Sequence, residues 1–217
     1  MPTKNSTPFI YLLASMYLAG IIGLSNANSQ LFFKFLTPLH LLFSFIILII
    51  FQVPKEKYFW TFLFFCISFG YSIEVLGVKT GLIFGNYKYN NTLGIKFFDV
   101  PPIIGINWFL MVFCIGTLIQ AVWKENLNTF FKTIIGASVL TIFDFVAEPV
   151  AIYLNMWEWF GQLPPLHNYL AWFIVSFALL FSFFKLPFKK NNPIAPSLFI
   201  FQLLFFIFLR LLLVFNN

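Results

Sequence analysis

The polar residues of this chain fall in short clusters, and the apolar runs between them have the length of a bilayer. A membrane-spanning helix needs about 20 predominantly apolar residues, within a range of roughly 17–25. Seven stretches qualify: Phe9–Ser25, Phe35–Val53, Tyr58–Val78, Ile103–Trp123, Phe130–Leu154, Leu166–Lys185 and Pro196–Phe215. Pro54–Lys57 and Lys189–Pro193 separate neighbouring runs cleanly, and the longest connection, Lys79–Pro102, is rich in Gly, Asn, Tyr and Lys. The predicted fold class is all-α, a polytopic membrane protein whose seven transmembrane helices form one bundle, with residues 1–217 as a single integral membrane domain. The first run follows Lys4 without a clear small-residue cleavage site, so it reads as a retained first helix rather than a signal peptide.

Composition agrees with that pattern. The chain has 217 residues, 60% of them hydrophobic and 9% charged; a soluble domain carries about 25% charged residues. Phenylalanine supplies 34 positions, which suggests lipid-facing surface or an aromatic-lined cavity. The net charge is +6, but its lysines stand singly or in pairs between apolar runs, so no basic stripe supports nucleic-acid binding. Cys66 and Cys114 sit inside apolar runs with no metal-ligand spacing and read as small buried hydrophobes. His40 and His167 are far apart and read as polar residues at span ends.

Lysine distribution sets an orientation. With the N-terminus inside, the inner side holds Lys4, Lys55, Lys57, Lys124, Lys132, Lys185, Lys189 and Lys190, against Lys34, Lys79, Lys88 and Lys96 outside. The expectation is an integral protein of a bacterial or archaeal cell membrane with a cytoplasmic N-terminus. Independently of that choice, alternation of the spans gathers Glu74, Asp99, Asp144, Glu148 and Glu158 toward one side, together with Asn107 and Asn168, while Glu56 and Glu125 lie on the other. A functional mouth or cavity is expected on the acidic side.

Asp144 and Glu148 stand out, four residues apart in the run Thr141–Pro149. A charged side chain at mid-bilayer costs at least about 2.5–3.5 kcal/mol on insertion scales, so two in one span need a reason. Their spacing puts them on one helix face, roughly 6 Å apart along the axis. One reading is structural, with both acids bonded to neighbouring helices or facing a wet vestibule. The functional reading is an acid–base pair in a buried cavity, in which a carboxylic acid held neutral donates a proton to a weak base. Pro149 removes a backbone donor and frees a carbonyl upstream, giving a kink or break. Glu74, late in the third span, also asks for a partner. Asn107 and Asn168 each open a span and could cap a helix or hold water. Tyr87, Tyr89, Trp157 and Trp159 could form an interfacial aromatic belt, or a lid whose hydroxyls reach polar partners.

Taken together, these segments resemble the membrane carotenoid hydratases grouped as carotenoid biosynthesis proteins, which include bisanhydrobacterioruberin hydratases and gamma-carotene hydratases. The resemblance rests on Glu74–Gly81, Gly85–Tyr89, Val100–Pro101 with Asn107–Trp108, Asp144–Ala151, Trp157–Trp159 and Pro165–Trp172. Pro101–Gly105 departs slightly from the family's proline-leading segment. The resemblance implies addition of water across the terminal trisubstituted double bond of an acyclic carotenoid end group, giving a tertiary alcohol. For that chemistry the expected catalytic residues are Asp144, Glu148 and Glu74: Asp144 or Glu148 gives the proton, and the other tunes its pKa and receives a proton from water. Glu74, Asn107 and Asn168 would position water, and Tyr87, Tyr89, Trp108 and Trp157 would line the end-group pocket. The implied reaction is redox-neutral, so no cofactor or metal is expected, and the partners are a carotenoid substrate and membrane lipid, with no nucleic acid.

Two alternatives stay open. A carotenoid cyclase would begin with the same protonation but let an internal alkene capture the cation. A proton-coupled transporter would also place Asp and Glu in the membrane, although no inverted repeat or paired broken helices are visible. A retinal protein needs a lysine in its last span; Pro196–Phe215 offers Arg210 instead.

Overall fold

The structure is a computed structural model that describes residues 5–124, 126–161 and 163–215. Among them lie seven helices long and apolar enough to cross a membrane: α1 (Thr7–Ser25), α2 (Ala27–Phe51), α3 (Lys57–Thr80), α4 (Ile103–Trp123), α5 (Thr129–Tyr153), α6 (Leu166–Lys185) and α7 (Ala195–Phe215). The all-α expectation holds, and the chain is an integral membrane protein. Lys4 and Glu125, both counted in the sequence-based charge balance, lie outside the described residues.

The span boundaries agree to within a few residues except at α2. That helix begins at Ala27, eight residues before the predicted start at Phe35. Polar residues from Asn26 to Gln30, together with Lys34, interrupt the hydropathy but not the helix. Asn26 ends α1 and caps α2, its side chain accepting from the Asn28 backbone N–H. One residue thus joins α1 to α2. His40, expected at a span end, consequently stands in the middle of α2.

α4 is the central helix and packs against α2, α3, α5, α6 and α7. Every residue from Trp108 to Thr117 is buried, as expected for a helix that is apolar on all sides. On the lysine-rich side, Phe113 meets Phe183 edge-on at 5.7 Å and Phe62 meets Phe183 at 5.3 Å. Such pairs add about 0.5–1.5 kcal/mol each beyond the area they bury. Phenylalanines thus fill this inner layer, a use the sequence did not suggest, while others, such as Phe35 and Phe64, are exposed on the outside of the bundle as expected of lipid-facing residues.

α3 and α4 approach closely at Gly105, where an added Cβ would lie 2.8 Å from the Ile67 carbonyl oxygen. Backbone cannot rotate away as a side chain can. Gly105→Ala is expected to destabilise the protein by about 1–3 kcal/mol, the usual cost of overpacking, read as a lower thermal midpoint in detergent.

The connections on the acidic side form a cap. Gly81 takes a left-handed conformation, φ 66°, at the end of α3 and turns the chain back over the bundle. Strand β1 (Tyr87–Tyr89) then pairs antiparallel with β2 (Trp157–Trp159), placing Tyr87 opposite Trp159, Lys88 opposite Glu158 and Tyr89 opposite Trp157. Side chains alternate across a strand, so the four aromatics face the bundle while Lys88 and Glu158 face outward in an ion pair of 2.7 Å. A single 3-10 turn, Asn91–Leu93, packs against α2.

Candidate active site

Three buried carboxylates meet beneath the ribbon, and each is held differently. Glu74 from α3 receives three donors. The Tyr87 and Tyr89 hydroxyls donate to its Oε2 at 2.5 and 2.9 Å, and the Trp108 indole N–H donates to Oε1 at 3.0 Å. Burial pushes both tyrosine hydroxyls well above their ordinary range, and the Glu74 carboxyl pushes them further, so they remain protonated donors. Glu148, late in α5, is gripped by the ribbon from the other strand: the Trp157 and Trp159 indole N–H groups donate to its two oxygens at 2.9–3.3 Å. The four ribbon aromatics thus reach polar partners among the acids, the contact that the lid reading expected.

Asp144 is held most lightly. Its one hydrogen bond among the described residues comes from the Asn168 side-chain amide to Oδ2, at 3.0 Å. Asn168 lies in the first turn of α6, three residues past the Pro165 cap position, and its side-chain amide donates to Asp144. α5 continues through Pro149 to Tyr153 without a break. The carbonyl that proline deprives of a partner belongs to Phe145, and the Arg210 guanidinium donates to it at 2.8 Å while lying 4.9 Å from the Phe145 ring. Arg210 from α7 therefore repairs the helix one residue from Asp144.

Beside these acids is a cavity of about 470 Å³, lined largely by apolar side chains of α1, α2, α4, α5 and α7. Glu74, Asp144, Asn107, Tyr89, Trp108 and Trp157 contribute to its wall. Glu148, Asn168 and Tyr87 lie behind that wall and support it. Trp108 stacks on Trp172, centroids 4.4 Å apart, and both rings border the space. Asn107 accepts from the Gln202 amide at 3.3 Å. Among the described residues that pair leaves the Asn107 amide N–H groups and the Gln202 carbonyl for another partner, since an amide carries both functions.

Gln202 and His40 are wall residues that the sequence reading did not select. Gln202 looks like one more polar residue in the seventh span, and only the crossing of α4 with α7 pairs it with Asn107. His40 lines the cavity with a buried Nε2 that has no partner among the described residues, and Tyr17 meets its ring edge-on at 4.4 Å. Its place halfway along an apolar helix was the available signal, lost once the helix start was misplaced.

A polytopic membrane protein with an apolar cavity edged by carboxylates is the class that this fold and site define. The chain belongs to the family described as carotenoid biosynthesis protein, whose model matches residues 36–216. Its role lies in carotenoid biosynthesis. No curated protein and no solved structure matches it. α1, which precedes the matched residues, nevertheless supplies Met16, Tyr17, Ala19, Gly20 and Leu24 to the cavity wall.

Proposed function

We propose that the protein is a carotenoid hydratase that adds water to the terminal trisubstituted double bond of an acyclic end group by acid catalysis. The observation that carries the proposal is Asp144: a carboxyl on the wall of an apolar cavity, held through one oxygen only. In its acid form it gives a proton to the less substituted alkene carbon. The π pair becomes the new C–H bond, and the other alkene carbon becomes a tertiary cation. Water held by the Asn107–Gln202 pair forms the C–O bond, and its surplus proton returns to the Asp144 carboxylate, so the acid is regenerated and the net change is one water added. The faces of Trp108 and Trp172 border the place where positive charge develops, and aromatic faces attract cations. Glu74 and Glu148 hold the lid and the indoles in place, within a site that shields the cation from bulk water.

The test is expression in a host that makes lycopene or gamma-carotene, with pigments read by mass. A gain of one water with the intact protein is the expected result. A new product of unchanged mass would favour cyclisation, and unchanged pigment with well-folded protein would defeat the hydratase reading.

A further inference from the structure

The cavity is far more closed toward water than toward lipid. On the ribbon side its wall is made by Leu24, Tyr89, Leu93 and Met156, exposed by 3%, 6%, 4% and 4% respectively, and by the half-buried Trp157. Between α1 and α7 the seam is tight: a Cβ added at Gly20 would lie 3.2 Å from the Phe205 ring. The lining residues that are exposed on the outside of the bundle are Ala19 on α1 and Leu39 and Phe43 on α2, the last two by 52% and 37%. α1 and α2 are tied at one end by the single residue Asn26, and both are largely exposed along their length. The exposed lining residues therefore all lie on two apolar helices long enough to cross the membrane.

We infer that the α1–α2 crevice is the lateral port of the site, admitting the substrate from the bilayer end group first and holding its polyene chain while the end group reaches Asp144. The inference rests on the hydratase reading for the identity of the ligand. Size supports it: ligand pockets that enclose a drug-sized molecule measure about 300–1,000 Å³, and 470 Å³ accommodates an end group and a few chain carbons but not a whole carotenoid. The remaining chain must leave the cavity somewhere, and only an apolar exit spares it contact with water. The Ala19, Leu39 and Phe43 side chains provide such an exit, whereas the ribbon side ends in Lys88, Asn90 and Glu158.

Ala19→Trp and Leu39→Trp narrow the port without touching the carboxylates, and Leu170→Trp, on the exposed face of α6 and away from the cavity, is the control. The variants are compared in membranes on a long acyclic carotenoid and on a short isoprenoid alkene with the same end group, and the carotenoid retained on purification is measured by absorbance. The two port variants are expected to convert the long carotenoid at least about tenfold more slowly, equivalent to about 1.4 kcal/mol, and to retain less pigment. The short alkene, which needs no exit for a chain, is expected to lose less than the long carotenoid, and thermal midpoints in detergent equal to that of Leu170→Trp show that the port variants are folded. Wild-type conversion and retention of the long carotenoid in both port variants would overturn the port. Pigment retained by the wild type but lost in the port variants, with no hydration by either, would uphold the port and remove the hydratase reading.

Discussion

Asp144→Asn is expected to lower carotenoid hydration by about 10²–10⁴-fold, the usual contribution of a general acid, with little change in thermal stability. The substitution keeps the volume of the side chain and leaves a carbonyl oxygen to accept from the Asn168 amide, which is the one hydrogen bond that ties Asp144 to the described protein. What it removes is the transferable proton. Glu148→Gln provides the contrast. A carbonyl at the Oε1 position still accepts from both the Trp157 and Trp159 indoles, so hydration should fall far less than in Asp144→Asn. Both rates come from the same pigment assay, with protein amount and thermal midpoint measured alongside. Equal losses in the two variants would return the pair to an undivided acid–base couple, and full activity in Asp144→Asn would remove it as the proton donor.

That division between two acids one helical turn apart was not legible in the sequence. The run Thr141–Pro149 places Asp144 and Glu148 on one face, and hydropathy correctly places both in a span. Which of them borders open space depends on what arrives from elsewhere. β2 follows α5 within a few residues and folds its two tryptophans back onto Glu148, while α6 brings Asn168 to Asp144. Period and spacing describe a single helix; they carry no information about which neighbour covers it. The ribbon itself was only half visible. Tyr-Lys-Tyr at 87–89 and Trp-Glu-Trp at 157–159 both alternate aromatic and charged residues, as a two-stranded cover with one wet face requires. Each is three residues long, and nothing local says that segments almost seventy positions apart pair with each other. The seven spans, by contrast, were legible because each is long, and a bilayer demands that length of every crossing helix. The early start of α2 escaped because Asn26 and Lys34 lower the hydropathy at the membrane edge, where a helix can continue among polar groups.

Glu74→Leu should be the most destabilising single substitution at the site, lowering stability by several kcal/mol, about 1–3 kcal/mol for each buried donor left without a partner. Glu74 accepts from Tyr87, Tyr89 and Trp108, and the three donors come from two elements, β1 and α4, that it ties to α3. Leucine has a similar volume, so packing is largely kept, and the loss measures the polar contacts. The three donors cannot turn to water easily, because Tyr87, Tyr89 and Trp108 are exposed by only 5%, 6% and 2%. With the carboxyl gone, β1 loses its tie to α3 and the ribbon loosens over the cavity, so hydration falls together with the thermal midpoint. Glu74→Gln separates the two functions. It keeps an acceptor for the hydroxyls or the indole and should lose only part of the stability; if Glu74 serves as a brace, activity recovers in step with the midpoint. Activity that stays low in Glu74→Gln at near wild-type stability would instead give Glu74 a direct part in proton transfer, and Asp144 would then share that role.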